Sequence, residues 1–348
     1  MRAGARYYAI LSGEHPRLPL AELEAILEVE ARSYNVEMHL DGLAVFNADM
    51  DNPEVITGRA GWVKEVGELL YIGDNTWEGL REATVTLLES LQDRGVEVVD
   101  VEARRFKGYG FIGESEAERA IRGQLASSGV EHSGKAGTRV RIFITEGILL
   151  AGIVISTIDT RQFYYRRPRA RPFFKPGPLS PQLSRVFVNL SRLRRGGTYL
   201  DPFCGTGGFS IEACMAGAGR VVCGDIDRAM VRGSRGNLES YGCVDSLVYH
   251  GNASMLPLAD ESVDSISTDP PYGRSTTTAK QGYNRLVKSF ISEAARVAKR
   301  GSYIVYAGPY KNRPWIYAAD AGLRVVGRYH MYVHSSLTRE VVVARKVY

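Results

Sequence analysis

Apolar positions recur along the chain at two spacings, every second residue and every third or fourth, and the switches between them mark out its elements. Residues 5–12 read as a strand, and Leu20-Ala21-Glu22-Leu23-Glu24-Ala25-Ile26-Leu27-Glu28 carries its apolar residues at helical spacing. Strands at 34–38 and 43–47 complete a small β-α-β-β unit, and residues 53–57 begin another helix. A second region opens at Arg59, with strands at 66–72 and 98–106 and helices at 77–91 and 114–127. Two more strands, 139–145 and 148–155, flank the hairpin-type turn Glu146-Gly147, so a compact α/β domain ends near Asp159.

Between Arg161 and Pro178, the prolines Pro168, Pro172, Pro176 and Pro178 block regular helix and predict a stiff, extended arm. Helical periodicity resumes over 181–193 and stops at Gly196-Gly197. Strands at 198–200, 220–224, 246–250, 263–268 and 302–307 then alternate with helices at 208–216, 228–241 and 283–299, and two strand-like runs, 324–334 and 339–346, close the chain. This βαβα order predicts a doubly wound parallel sheet ending in an antiparallel edge hairpin.

A length of 348 residues suits two or three domains, and 44% hydrophobic with 24% charged residues is ordinary for a globular protein. No apolar run approaches the roughly 18 residues of a membrane span. The four cysteines, Cys204, Cys214, Cys223 and Cys243, form no CxxC pair and have no histidine set at zinc spacing, so no metal is expected and the thiols are expected free and buried. The six histidines are scattered along the chain and suit structural or surface roles. The net charge of +5 is unevenly spread, because residues 160–200 hold ten basic side chains and no acidic one, leaving −5 for the remainder. With Phe163, Tyr164, Tyr165, Phe173 and Phe174 interleaved, the block suits a polyphosphate partner better than a merely solvated charge run.

Tyr199-Leu200-Asp201-Pro202-Phe203-Cys204-Gly205-Thr206-Gly207-Gly208-Phe209 leaves a buried strand, turns on glycines and enters a helix, where open α/β sheets hold nucleotide-like ligands. The dinucleotide fingerprint GxGxxG is broken, since its third glycine would fall at Ser210. Asp201 ahead of the turn suits a ligand ammonium and penalises a pyrophosphate; its plainer role is to cap the turn. Asp225, about 20 residues past the glycines, is placed to accept from both ribose hydroxyls. Ile226 beside it can pack on an adenine face, and Asn252 can accept from an adenine amino group. Each alone is more often a loop residue or a cap, but three such residues at successive strand ends make a constellation.

The next strand ends in Asp269-Pro270-Pro271-Tyr272. An exocyclic amine on a nucleobase is a poor nucleophile because its lone pair is delocalised into the ring. Asp269 can accept one of its N–H groups and the Pro270 carbonyl the other, which aims the lone pair at an electrophilic methyl. Tyr272 would stack on the base.

These motifs resemble those of the archaeal tRNA guanosine-10 N2-methyltransferases. The likeness spans nearly the whole chain, and Arg171-Pro172-Phe173-Phe174-Lys175-Pro176-Gly177, residues 179–185 and 201–209, Gly251-Asn252-Ala253 and Asp269 to Gly273 with Arg274-Ser275 carry it. It implies a ferredoxin-like domain over 1–58, a THUMP RNA-binding domain over 59–158, a basic Pro-rich linker over 159–178 and a Rossmann-fold class I methyltransferase domain over 179–348. It further implies S-adenosyl-L-methionine as cofactor, enclosed by Phe174, Pro176 and Phe203. Asp201, Gly205, Thr206 and Gly207 would line its methionine end, Asp225 and Ile226 its nucleoside, and Asn252 and Ala253 its adenine. Asp269 would be the catalytic carboxylate, with Pro270 and Tyr272 beside it, and the product N2-methylguanosine, then N2,N2-dimethylguanosine. For tRNA the contacts expected are Arg161, Arg166, Arg167 and Arg169, with Arg105 and Lys107 from the loosely THUMP-like Ala103-Arg104-Arg105-Phe106-Lys107.

The same tetrad serves DNA adenine-N6 methyltransferases, and a related Asn-Pro-Pro-Tyr serves protein glutamine methyltransferases. A DNA enzyme needs a base-reading insertion near the catalytic loop, whereas residues 274–281 make only a short polar loop, and a small α/β module with a basic arm suits structured RNA. Guanine-N2 methylation at tRNA position 6 or in rRNA is the alternative, and a non-catalytic RNA-binding module is disfavoured by the three intact aspartates. The accompanying expectations are a monomeric cytoplasmic enzyme with tRNA as partner, no membrane or DNA contact, and a small activating protein.

Overall fold

The first half of the chain runs β1 (Ala5–Leu11), α1 (Leu18–Glu30), β2 (Ser33–Leu40), β3 (Leu43–Asp49), α2 (Val55–Arg59), β4 (Val63–Asp74), α3 (Trp77–Asp93), β5 (Val98–Arg105), α4 (Glu114–Ser127), β6 (Glu131–His132), β7 (Thr138–Ile144) and β8 (Ile148–Thr157). The second half runs α5 (Arg161–Arg166), α6 (Pro181–Leu190), β9 (Thr198–Asp201), α7 (Gly208–Met215), β10 (Arg220–Asp225), α8 (Arg228–Ser240), β11 (Ser246–His250), β12 (Val263–Thr268), α9 (Tyr283–Val297), β13 (Ala298–Pro309), α10 (Trp315–Asp320), β14 (Arg324–His334) and β15 (Leu337–Arg345). This is a computed structural model, and it describes residues 5–106, 112–145, 147–272 and 282–348. The described residues form two units, one from residues up to 16, 30–58 and 63–158, the other from 17–29, 59–62 and 159–348.

In the first unit all eight strands join one sheet, ordered β2-β3-β1-β4-β8-β7-β5-β6. The boundary expected at residue 58 is therefore not a break in the sheet, because β1 pairs antiparallel with β3 on one side and with β4 on the other. Helix α3 starts where the Thr76 hydroxyl caps Gly79 N–H at 3.1 Å, and it buries Leu80, Ala83, Leu87 and Leu91, one face at helical spacing. With Ala117, Ile121 and Leu125 of α4, this face covers Val99, Val101, Val140 and Ile142. β7 and β8 pair antiparallel with Ile144 opposite Leu149, which fits the expected hairpin; of its turn, Glu146 lies outside the described residues.

Helix α1 belongs with the second unit, for a reason visible in Glu22. That carboxylate is fully buried and accepts from Gly61 N–H and Trp62 N–H at 2.7 Å each and from Asn189 Nδ2 at 2.8 Å. All its donors lie in the second unit, so a charge that would otherwise be stranded fixes the helix there. Leu18, Ala21 and Ala25 pack with Trp62, Val186 and Phe187 in the same core.

The second unit's sheet is ordered β11-β10-β9-β12-β13-β15-β14. The first five strands run parallel and the last pair is antiparallel, as the sequence pattern predicts. Two expectations are overturned. The arm is not extended throughout: Arg161–Arg166 is helical and Pro168–Ala170 forms a 3-10 turn. Pro168 restrains only itself and Arg167, which sits at φ −57°, ψ 151°, so the preceding residues are free to coil and bury Phe163. Of the four thiols expected free, Cys214 at the end of α7 and Cys243 after α8 form a disulfide with Cα atoms 5.9 Å apart, and only Cys204 and Cys223 stay as buried thiols. Sequence distance had concealed that the two helices end side by side. Among the described residues no helix is long and apolar enough to cross a membrane.

Candidate active site

Strand β9 lies between β10 and β12, so the carboxyl ends of these three strands are neighbours at the point where the strand order reverses. Asp201 ends β9, Asp225 ends β10, and Asp269 directly follows β12. The sheet thus gathers the three aspartates that the sequence singled out.

Asp201 is fully buried. Its Oδ1 accepts from the Thr268 hydroxyl at 2.7 Å and from Phe203 N–H at 3.2 Å, while Oδ2 has no partner among the described residues. Burial pushes its pKa up to about 7, against the two hydrogen bonds that favour the charged form. The chain then turns through Gly205 (φ 49°) and Gly207 (φ 82°), left-handed positions that glycine adopts without strain. Asp225 holds the turn by accepting Gly205 N–H on Oδ2 and Asp227 N–H on Oδ1, both at 2.9 Å. Each of its oxygens keeps a second lone pair. Ile226 beside it is exposed.

The Arg171–Gly177 stretch is tied to this turn by Asn237 of α8. Its Nδ2 donates to the carbonyls of Phe173 (2.8 Å) and Thr206 (2.9 Å), and its Oδ1 accepts Phe173 N–H at 2.8 Å. The Phe173 ring lies flat on Gly233, where a Cβ would come within 2.0 Å of it. Phe174 and Pro176 are exposed beyond that anchor, and Phe203 is half-buried, edge-on to Phe290. Asn252 uses its Oδ1 on Ser254 N–H at 2.9 Å, the self-capping role, and the Ala253 side chain is in the core under β12.

Asp269 sits in a polar cluster. The Tyr272 hydroxyl donates to its Oδ1, Arg339 of β15 donates Nε–H to the Tyr272 oxygen at 2.9 Å, and the Arg339 guanidinium lies 3.4 Å from Oδ2. Burial raises the Asp269 pKa, and Arg339 and the Tyr272 hydroxyl oppose that rise. Pro270 is buried, and the Tyr272 ring meets Tyr283 edge-on. Gly273, Arg274 and Ser275 lie outside the described residues.

Known proteins resemble this chain in sequence and in fold. Residues 168–340 match the model of the RMKL-like methyltransferase domain. The chain is 35% identical over 345 residues to the tRNA (guanine(10)-N2)-dimethyltransferase of Methanothermobacter thermautotrophicus, covering 97% of this chain and 98% of that one. It is 31% identical to the protein of the same name from Pyrococcus abyssi, covering 96% and 97%. The chain belongs to the archaeal tRNA (guanine(10)-N2)-dimethyltransferase family. The crystal structure of TrmN from Thermus thermophilus superposes with a TM-score of 0.56 at 20% identity, covering 98% of this chain and all of that one, which shows a shared fold.

A methyltransferase domain of this family implies a bound methyl donor, and the residues present fit S-adenosylmethionine. The orphaned Asp201 Oδ2 is a partner for an ammonium, the free lone pairs of Asp225 suit two hydroxyls, and Gly205 faces open space where a side chain would stand.

One member of the cluster was invisible in the sequence. Arg339 lies seventy residues beyond Asp269 and joins it only because β15 is drawn beside β13 in the sheet. Arg171 lies on the glycine turn, its Nη1 donating to the Thr206 hydroxyl at 3.3 Å. Of the tRNA contacts expected, Arg166 is corrected: it is buried and bonded twice to Glu212, at 2.7 and 3.1 Å. A basic run gives no sign of which side chain turns inward. Arg161 is exposed beside Asp159, Arg167 is exposed over the Tyr164 ring at 3.8 Å, and Arg169 is exposed. Arg105 is exposed and donates to the Ile112 carbonyl at 2.8 Å; Lys107 lies outside the described residues.

Proposed function

We propose that this chain is an S-adenosylmethionine-dependent tRNA methyltransferase that transfers methyl groups to the N2 amine of guanosine 10, giving N2-methylguanosine and then N2,N2-dimethylguanosine. The observation that carries the reading is Asp269, a half-buried carboxylate with a raised pKa at the strand end beside the glycine turn, in a chain alike over nearly its whole length to enzymes of that name. The cofactor, when bound, supplies an electrophilic methyl on a sulfonium.

Asp201 receives the ammonium of the cofactor, Asp225 its ribose hydroxyls, and Gly205 and Gly207 let the backbone approach it. Phe174, Pro176 and Phe203 enclose it, with Ile226, Asn252 and Ala253 around the adenine. Asp269 and the Pro270 carbonyl accept the two amine hydrogens of guanine, which draws the lone pair out of the ring plane and toward the methyl. The lone pairs of Asp269 left free by Tyr272 and Arg339 are enough for this. As the N–C bond forms, nitrogen becomes cationic and releases a proton to Asp269, whose raised pKa suits it to receive one. The Tyr272 ring stacks on the base. The second methyl follows the same path, with the remaining N–H aimed at Asp269.

The N-terminal half supplies RNA binding, as a ferredoxin-like segment over 1–58 and a THUMP domain over 59–158, and the basic linker over 159–178 leads to the methyltransferase domain over 179–348. Arg161, Arg167 and Arg169 hold the tRNA backbone, aided by Arg105 and Lys107. Transfer of tritiated methyl from S-adenosylmethionine into unmodified tRNA transcript tests the reading. Label is expected with the wild type, none with Asp269→Ala, and none when guanosine 10 of the transcript is changed to adenosine. Label surviving either change overturns it.

A further inference from the structure

Charge is out of balance behind the glycine turn. Arg166, Arg171 and Arg185 are all buried, with exposures of 6%, 4% and 1%. Glu212 of α7 is bonded to two of them, accepting from Arg166 at 2.7 Å and from Arg185 at 2.9 Å. The other buried carboxylate near Arg185 is Glu22, already occupied by Gly61, Trp62 and Asn189. Arg59, 2% exposed and with its carbonyl on Arg185, adds a fourth, so four buried guanidiniums meet two carboxylates, and a buried positive charge without a counterion is costly.

The surplus falls on Arg171. Its Nε donates to the Arg166 carbonyl at 3.0 Å and its Nη1 to the Thr206 hydroxyl at 3.3 Å, whereas Nη2 is buried with no partner among the described residues. A Cβ on Gly208 would stand 3.2 Å from Nη1 and 3.6 Å from Nη2, so the guanidinium lies directly on the first turn of α7. That turn has no side-chain cap from Gly207, and the hydroxyl of its Ser210 is likewise buried and unpartnered. Helix N–H groups without a cap, the positive end of the helix dipole and a spare guanidinium edge converge on one spot. All three ask for a carboxylate, which pairs with arginine in the plane of its fork.

We infer that Arg171, with the first-turn amides of α7, is the subsite for the α-carboxylate of the cofactor's methionine moiety. This rests on the reading of the site as an S-adenosylmethionine pocket. The ammonium meets Asp201 and the carboxylate meets Arg171, so the two ends of the amino acid are sorted by charge on either side of the glycine turn.

The test is calorimetric titration of the full chain with S-adenosylhomocysteine, which has the amino-acid tail, and with 5′-methylthioadenosine, which lacks it. Arg171→Met is expected to weaken S-adenosylhomocysteine by about ten- to a hundredfold, the scale of a lost charged hydrogen bond, and to leave 5′-methylthioadenosine within about twofold. Arg171→Lys, which keeps the charge, should recover part of the loss and serves if the methionine variant does not fold. Equal loss of both ligands means Arg171 only props the turn and overturns the inference, as does full affinity for S-adenosylhomocysteine in both variants. A wild type that binds neither ligand overturns the cofactor reading itself.

Discussion

Arg339 touches Asp269 across the sheet, its guanidinium 3.4 Å from the carboxylate while its Nε–H, at 2.9 Å, holds the Tyr272 hydroxyl that also bonds Asp269. Buried at 9% exposure, Arg339 is the cation that offsets the cost of a carboxylate at this strand end. Removing it leaves only the Tyr272 hydroxyl to oppose burial, so the Asp269 pKa rises further and less of it is ionised at neutral pH. Arg339→Met should therefore move the acid limb of the pH–rate profile to higher pH. It should also lower kcat/KM at pH 7 by about ten- to a hundredfold, with partial recovery in Arg339→Lys. S-adenosylhomocysteine affinity should stay unchanged. An acid limb that does not move would show that Arg339 plays no part in setting the charge of Asp269.

Asp201 makes both stability and cofactor affinity depend on pH. Its pKa, ordinarily 3.8, is pushed up to about 7 in the folded chain, so the folded state holds its proton more tightly than the unfolded state does. The corresponding stability is fully present below about pH 4 and is lost as pH rises through 7, in all about 4 kcal/mol. Asp201→Asn removes the titration, so its melting temperature should gain on the wild type across that window. Parallel melting curves at every pH would contradict the assignment. Cofactor affinity should run the opposite way in the wild type. The ammonium needs the ionised carboxylate, so binding tightens as pH climbs through 7, and in Asp201→Asn it should be weak and flat.

The parts of this molecule legible in the sequence are those written locally. Strands β9, β10 and β12 are short and each ends at or just before its functional residue, so Asp201, Asp225 and Asp269 could be placed at strand ends and the sheet order then brought them together. What stayed hidden depends on distant partners. Nothing near Glu22 reveals that α1 leaves its own β-α-β-β neighbours, because the donors that fix it are at Gly61, Trp62 and Asn189. The ten basic side chains of residues 160–200 read as one surface, yet Arg166, Arg171 and Arg185 turn inward to Glu212 and the glycine turn, which only the packing of α5 and α6 against α7 decides. Asn252 shows the reverse: its plain capping role was legible and is what the structure displays, bonded to Ser254.

The Cys214–Cys243 disulfide closes a loop of 29 residues that contains β10 and α8. Cross-linking a loop of that length restricts the unfolded chain by about 3–4 kcal/mol. Reduction, or Cys243→Ser, should lower the urea midpoint of the second unit by the equivalent amount. Because Asp225 ends β10 inside that loop, opening it loosens the site, so the cofactor should protect the reduced protein no more than the oxidised one. A midpoint indifferent to reductant would mean that the two sulfurs are not linked in solution.

Arg166 and the pair Arg167 and Arg169 are neighbours in the chain with separable effects. Arg166 is buried on Glu212, and truncating one partner of a buried ion pair costs about 3–5 kcal/mol, so Arg166→Ala should lose stability and pull activity down with it. Arg167 and Arg169 are exposed, and changing both to alanine should leave the melting temperature where it was. If they hold tRNA phosphates, the double variant weakens binding and flattens the dependence of affinity on salt by roughly one to two units of log–log slope. Filter binding of tRNA over a salt series, run beside thermal melts, reads both effects. A salt slope unchanged in the double variant would remove these two arginines from the tRNA interface.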